Sequence, residues 1–380
     1  MFSSQSHRKT SPRREDALKE SQKGIRQQPK DDLPSGSAVL SPHRLAWIDY
    51  AKGIAILLVV LCHTVNGLIL AGILPRQMPA WSFLNNYFYT FQVPVFFFVS
   101  GLFAERSLEK YGAAIFLRQK VLTLLYPYFI WQTGQILLMM AMEGWANHLT
   151  NLRQLLLTPV MPYMQYWFLY VLFLVYLLFT GLVWVGVRRT WIPMLALLFY
   201  ALSWVEVPWQ WPPYIFTLRH FLYFALGMLL SGALVRTNWM DRFNRITRIC
   251  VSAALLAGTA ILVSQGLGYT SPWRLWGACT GIAGVIALAS ALEDIPGLGF
   301  LSHLGKRSLE IYVVHVICIA GMRGVLMFLL GVRTPAVHIL LGVTTGILSG
   351  LLAVYCCRRL GVDLFRAPMF PDYRRTADRD

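Results

Sequence analysis

Apolar residues fall into ten long runs along the chain, separated by short polar segments. Most runs approach the ~20 residues with which an α-helix crosses a ~30 Å hydrocarbon core. The fifth and seventh runs are shorter, so a merged or re-entrant segment is an alternative at both places. The pattern predicts an all-α fold, a polytopic transmembrane helical bundle with about ten spans. We place these spans near 51–71, 84–104, 121–142, 166–187, 190–205, 219–235, 249–265, 272–291, 308–330 and 336–357.

The two ends of the chain lack these apolar runs. Residues 1–43 are polar and rich in Ser, Arg, Lys and Gln, with no hydrophobic period. Such a segment buries too little apolar surface to fold alone, so we predict a disordered basic cytoplasmic tail. Residues 44–357 hold all the apolar runs and form the predicted transmembrane domain. Residues 358–380 are predicted to be a second basic cytoplasmic tail.

Composition supports a membrane protein rather than a soluble one. Of the 380 residues, 56% are hydrophobic and 14% are charged, and the mean hydropathy is +0.52. Soluble domains contain about 25% charged residues. The chain is therefore predicted to be a multi-pass membrane protein.

The formal net charge of +16 does not indicate a nucleic-acid partner. Lys and Arg concentrate in the tails and in alternate loops, as the positive-inside rule requires when both termini are cytoplasmic. Contact with anionic lipid headgroups is a secondary role for these charges. The segments assigned to the outer side carry one basic residue each: Arg76, Arg153, Arg219, Arg274 and Arg333.

All six cysteines lie within or at the edge of apolar runs. None has the spacing of zinc ligands, and none suggests a disulfide framework. We therefore predict no metal site.

The first apolar run is bracketed by two ionisable residues, Lys52 and His63, and Asp49 lies three residues before the lysine. Eleven helical steps return His63 to within ~20° of the face that carries Lys52, and ~16 Å deeper along the axis. That depth is near the middle of a bilayer, where an ionisable side chain marks a functional site. The alternative is a neutral core histidine that is hydrogen-bonded to a neighbouring helix.

The ninth run carries a second polar face. Ser308, Tyr312 and His315 are separated by four and three residues, so one side of a helix carries all three. His315 lies eight residues after Arg307, ~12 Å along the helix. The two histidines, on two different helices, are therefore expected at similar depth.

Several motifs in this order resemble the integral-membrane acyltransferase-3 family, and more narrowly its fucose 4-O-acetylase-related branch. The first helix supplies the basic residue, ten residues and histidine of Lys52 and His63. The second supplies a proline, an aromatic run and Ser-Gly within 91–101, although Gln92 stands where relatives often have histidine. The late segment 304–315 supplies Gly, a basic residue, Ser-Leu, Tyr and His.

The resemblance implies an acyltransferase domain over residues 44–357. Its expected activity is O-acetylation: an acyl group, usually acetyl, moves from acyl-coenzyme A to a hydroxyl of a glycan or lipid-linked saccharide. The implied setting is polysaccharide modification in the bacterial inner membrane. Acetyl-coenzyme A is then a donor substrate and no resident cofactor is needed. The implied partners are this donor, the saccharide acceptor and membrane lipid.

The resemblance also implies roles for individual residues. His63, Asp49 and Lys52 are the expected catalytic residues, with His63 either a base or a carrier of the acyl group. Arg118 and Lys120 stand where parts of the family have two arginines, which implies that they bind substrate. The alternative is that they are ordinary positive-inside charges. An interfacial aromatic belt is the alternative for Trp167. The expected substrate-binding residues are His315, Tyr312, Ser308, Arg118, Lys120 and Trp167.

Two other functions fit a helical bundle with buried ionisable residues. A transporter or flippase of lipid-linked saccharides is the first, although the sequence shows no internal repeat of the kind that many transporters carry. A structural subunit of a glycan-synthesis complex is the second, and it would leave both histidines dispensable.

Overall fold

The computed structural model describes residues 46–142, 151–206, 211–236 and 242–367. These residues form helices joined by short connections, with no β-strand among them. In chain order the α-helices are α1 (Ala46–Leu70), α2 (Pro79–Leu102), α3 (Ala104–Lys120), α4 (Tyr126–Ala141), α5 (Leu152–Leu157), α6 (Trp167–Trp184), α7 (Ile192–Leu202), α8 (Pro212–Ser231), α9 (Arg245–Ser264), α10 (Arg274–Leu292), α11 (Gly299–Lys306), α12 (Ser308–Gly324) and α13 (Pro335–Arg359). The predicted all-α polytopic bundle is confirmed.

Seven helices within the described ranges are long and apolar enough to cross a membrane, and a bent helix pair raises the number to eight. The pair consists of Pro79–Leu102 and Ala104–Ala141, which meet at 65°. It covers the predicted spans at 84–104 and 121–142. A shorter apolar helix, Arg189–Leu202, covers the predicted fifth span. The predicted number of about ten spans is therefore approximate, whereas the short seventh run forms a full helix, α9.

Polar contacts near helix ends show which ends share one side of the bundle. Arg189, before α7, pairs with Glu105 and Glu109 of α3. At the other end of α7, the Tyr200 hydroxyl donates to the main-chain oxygen of Pro272, 2.7 Å away. The basic segments near 105–120 and 188–189 thus lie together, in agreement with the alternation of charge in the sequence.

The segment 105–120, taken from the sequence as a basic loop, is helical. It forms α3, which contains a break at Gly112, where φ is +73°. Pro94 lies inside α2, and this helix continues through it to Leu102. The sharp bend between α2 and α3 is thus at Phe103, nine residues after the proline.

Glycines let the central helices touch through their backbones. A Cβ atom on Gly101 of α2 would overlap the main-chain oxygen of Phe224 in α8, and one on Gly227 would overlap that of Phe98. Small residues allow close approach of this kind between membrane helices. Gly101, which belongs to the Ser-Gly of the pattern within 91–101, thus lets α2 and α8 touch.

A second glycine row lies on α13 and faces the two helices that carry the histidines. A Cβ atom on Gly346 would lie 2.8 Å from the Val60 side chain of α1, and one on Gly350 would lie 2.5 Å from the Cα atom of Ile311 in α12. These glycines lie one helical turn apart. Helix α13 therefore packs closely on α1 and α12 together and fixes their spacing.

The start of the predicted C-terminal tail packs on the bundle. The Tyr126 hydroxyl donates to the main-chain oxygen of Asp363, and the Trp131 indole donates to that of Leu364. Phe365 stacks on Trp131 and is 3% exposed. Residues 368–380 and the predicted N-terminal tail lie outside the described residues.

Candidate active site

Helix α1 carries Asp49 and Lys52 near its start and His63 about three turns after Lys52. The Lys52 ammonium lies 2.7 Å from the Asp49 carboxylate, and the two side chains are 26% and 21% exposed. Acidic and basic residues three apart on a helix are neighbours, so the pair follows directly from the local sequence. The carboxylate therefore holds the lysine at the start of α1.

The rings of His63 and His315 meet between α1 and α12. Their centroids are 5.1 Å apart and their planes are inclined at 62°. His315 is fully buried, whereas His63 is partly exposed. This contact confirms the expectation that the two histidines reach similar depth. It places two imidazoles side by side between two helices of the bundle.

Hydrogen bonding fixes the tautomer of His315. Its Nδ1 atom lies 2.7 Å from the main-chain oxygen of Tyr312 and 3.2 Å from that of Ile311. A carbonyl oxygen only accepts, so Nδ1 bears a proton and donates it. In the neutral ring, Nε2 then bears a lone pair, and this buried atom has no partner among the described residues. The site therefore contains an unused acceptor next to His63.

Tyr312 packs beside His315, with ring centroids 5.8 Å apart. Its hydroxyl donates to the main-chain oxygen of Gln165, so this group already has a partner within the protein. The predicted substrate-binding side chain thus joins α12 to the start of α6.

A buried amide network, not predicted from the sequence, supports the same region. The Gln165 amide donates to Gln135 over 2.7 Å, and the Tyr166 hydroxyl bridges Gln135 and the main-chain oxygen of Val313. Gln132 accepts from the main-chain nitrogen of Tyr163. Two glutamines three residues apart in the apolar run of α4 are the signal that could have indicated this network.

Polar neighbours flank both histidines along their helices. Gln92 of α2 is buried, and its amide oxygen lies 3.6 Å from the Cys62 sulfur, one residue before His63. At the start of α12, Arg307 pairs with the buried carboxylate of Glu310 over 3.1 Å. Each histidine helix thus carries polar groups besides its histidine.

The Arg323 guanidinium reaches α1 one turn beyond His63. A Cβ atom on Gly67 would overlap its Nη1 atom, so the guanidinium occupies the space that a side chain at this position would need. Helical side chains lean toward the N-terminus, which brings this charge back toward the level of His315. No carboxylate in the described ranges pairs with Arg323.

Comparison with known families decides what kind of protein this is. A family model for the acyltransferase domain, acyltransferase-3, matches residues 45–357. The chain belongs to the acyltransferase-3 family. No curated protein and no solved structure matches it. The match spans nearly all the described residues and includes both histidine helices.

This acyltransferase-3 protein is a multi-pass membrane acyltransferase, so its substrates are an acyl donor and an acceptor. Of the residues predicted to bind them, Tyr312 and His315 are brought together with His63. Ser308 is partly buried two turns before His315. Trp167 packs instead against Phe216 and His220, with ring centroids 4.9 and 5.3 Å away.

The two basic residues predicted to hold the donor lie at the end of α3. Lys120 is placed over the rings of Phe116 and Tyr176, 5.0 and 4.3 Å from their centroids. Arg118 is exposed. In the part of the chain that is described, no three His, Cys, Asp or Glu side chains are grouped as metal ligands.

Proposed function

We propose that the protein is a membrane-embedded O-acyltransferase with His63 as its base. It moves an acyl group, usually acetyl, from acyl-coenzyme A to a hydroxyl of a glycan or lipid-linked saccharide. The observation that carries this proposal is the contact of His63 with His315, whose Nε2 atom is buried and unpartnered. The resemblance to the fucose 4-O-acetylase-related branch supports a saccharide acceptor in the bacterial inner membrane.

His63 takes the proton of the attacking hydroxyl. The hydroxyl oxygen forms a bond with the thioester carbon, and the carbon–sulfur bond then breaks. His63 returns the proton to the departing thiolate, which leaves as the free thiol of coenzyme A. A positioned base of this kind contributes about 10²- to 10⁴-fold to the rate.

The neighbours of His63 assist the same step. His315 Nε2 accepts a hydrogen bond from the acceptor saccharide or from the His63 ring. This bond fixes the orientation of the group that donates it. The Arg323 guanidinium, one turn beyond His63, is placed to stabilise the negative charge that develops on the carbonyl oxygen. At the other end of α1, the Asp49–Lys52 pair faces the cytoplasm and meets the donor.

The function is tested with purified full-length protein in lipid nanodiscs and radiolabelled acetyl-coenzyme A. Membrane glycolipids and lipid-linked saccharides from a bacterium serve as acceptors. We expect label in the saccharide fraction, in an alkali-labile ester, and none with heat-denatured protein. If folded protein transfers nothing from any acyl-coenzyme A of two to eight carbons, the proposal is wrong.

The same preparation separates a transporter from a transferase. A flippase would move a fluorescent lipid-linked saccharide across proteoliposomes and would leave acetyl-coenzyme A intact. The proposed enzyme releases free coenzyme A thiol in proportion to the ester that forms. Translocation without thiol release would favour the transporter.

A further inference from the structure

A second cluster of basic and polar side chains lies where α7, α8 and α10 meet. Arg219 of α8 is stacked over the Trp204 ring, 3.7 Å from its centroid, and donates to the main-chain oxygen of Ser203. Arg274, the first residue of α10, lies over the Tyr269 ring at 4.4 Å. We name Arg219, Arg274, Trp204 and Tyr223 the arginine cluster.

Donors in the arginine cluster outnumber its acceptors. Arg274 is 3% exposed, yet its Nε and Nη2 atoms have no hydrogen-bond partner among the described residues. The buried hydroxyl of Tyr223 and the buried indole nitrogen of Trp204 lie beside the Tyr200 hydroxyl, which donates to the main-chain oxygen of Pro272. Burial of a charged donor without an acceptor is unfavourable, so the two free nitrogens of Arg274 indicate a missing acceptor-rich group.

The positive charges of the arginine cluster also favour a bound anion. The two guanidinium groups are close enough to repel each other electrostatically. The charge of Arg274 is also within electrostatic reach of Tyr223 and His220. Every ion pair found within the described ranges involves other basic residues. Planar guanidinium groups bind phosphate and carboxylate through paired hydrogen bonds. A group of negative charge would satisfy both arginines at once.

The cluster lies at the end of the bundle opposite to Lys52. Helix α10 begins at Arg274 and ends beside Asp294, which pairs with Arg248. Tyr50, next to Asp49 in α1, lies within electrostatic reach of Asp294. The start of α1 and the end of α10 therefore share one side, and Arg274 lies on the other. A molecule bound at the cluster enters from the side opposite to the proposed donor.

We propose that the arginine cluster binds an anionic group, a phosphate or a carboxylate, on the saccharide acceptor. Aromatic rings connect it to the first helix. The Tyr269 ring lies 5.5 Å from that of Tyr89, and Tyr89 is within electrostatic reach of Cys62, the residue before His63. Aromatic rings pack well on the faces of sugars. The role as an acceptor site rests on the proposed acyl transfer; the anion site itself does not.

The test is equilibrium binding to the full-length protein in nanodiscs of zwitterionic phosphatidylcholine, without acyl-coenzyme A. The probes are glucose 1-phosphate, methyl glucuronide and neutral methyl glucoside. We expect at least one charged sugar to bind about 10-fold or more tightly than the neutral one. The tighter of the two charged sugars identifies phosphate or carboxylate as the natural group.

Variants assign the binding to the cluster. Arg219→Gln and Arg274→Gln are each expected to weaken binding of the charged sugar about 10-fold or more, and Tyr223→Phe several-fold. Arg333→Gln removes an exposed arginine and should leave binding unchanged. If Arg274→Gln does not fold, Arg219→Gln and Tyr223→Phe still decide the result.

Three results would overturn the anion site: no binding of either charged sugar, equal binding of charged and neutral sugars, or wild-type affinity in Arg219→Gln and Tyr223→Phe. Because acyl-coenzyme A is absent, the outcome is independent of acyl transfer. If the protein binds the charged sugar through these residues but transfers no acyl group, the anion site is supported and the proposed function is wrong.

Discussion

The Nδ1 atom of His315 donates to the main-chain oxygen of Tyr312 over 2.7 Å, which leaves Nε2 as an unused acceptor beside His63. One helical turn thus supplies both the anchor of the ring and the orientation of its free nitrogen. A histidine in a membrane helix can anchor its ring through one nitrogen and offer the other nitrogen to a substrate, and His315 has one nitrogen for each role. A substitution can therefore remove one nitrogen and keep a donor at the position of the other.

His315→Asn keeps a donor near the position of Nδ1 and removes Nε2. We expect the rate of acyl transfer to fall about 10- to 100-fold, as for a lost hydrogen bond of ~1.5–3 kcal/mol to a group of developing charge. The protein should remain folded. Initial rates in nanodiscs and the thermal midpoint measure both effects, and His338→Asn serves as a control for a buried histidine on another helix. An unchanged rate would show that Nε2 has no part in the reaction.

Tyr312→Phe removes a hydroxyl that already donates to the Gln165 main-chain oxygen. That buried oxygen would lose a donor, so we expect the free energy of unfolding to fall by about 1–3 kcal/mol. The KM for the saccharide acceptor should change less than threefold. Thermal unfolding and steady-state kinetics give the two values. A large rise in KM with unchanged stability would instead support direct substrate binding by Tyr312.

Gly350→Ala inserts a methyl group where α13 touches the backbone of Ile311. Overpacking of this kind costs about 1–3 kcal/mol, and it would push α13 away from the helix that holds His315. We expect a lower thermal midpoint together with slower transfer. Gly321→Ala is the matched control, because nothing lies within 4 Å of an added Cβ atom there. Equal midpoints in the two variants would argue against the close contact.

Lys52→Gln is expected to raise the KM for acetyl-coenzyme A about fivefold, with kcat changed less than twofold. The effect is small because the lysine is partly exposed, and exposed ion pairs contribute ~1 kcal/mol or less. Lys306→Gln, which alters an exposed lysine of α11, is the control. A fall in kcat without a change in KM would place Lys52 in the chemical step.

Local spacing was enough to predict several features of this fold. The helical period of α1 predicts the Asp49–Lys52 pair, and the spacing along two apolar helices predicts the similar depth of His63 and His315. These features depend on one helix or on the position of a helix within the membrane.

Features that depend on several helices were beyond the sequence. The arginine cluster combines residues from α8, from α10 and from the segment after α7, and its two arginines had been assigned separately to the outer side. The Tyr312 hydroxyl, expected to bind substrate, donates to the main-chain oxygen of Gln165, because the segment before α6 packs on α12. Helix α3 was taken for a loop because its exposed face is charged. Tertiary packing decides each of these outcomes.

The most direct test of the account is the rate of acetyl transfer by His63→Gln in nanodiscs, compared with wild type and with His303→Gln. His303 is exposed on α11, so its substitution controls for the loss of a histidine. We predict that His63→Gln remains folded and loses about 100-fold or more of the transfer rate, while His303→Gln retains it. Transfer by folded His63→Gln within twofold of wild type would contradict the account.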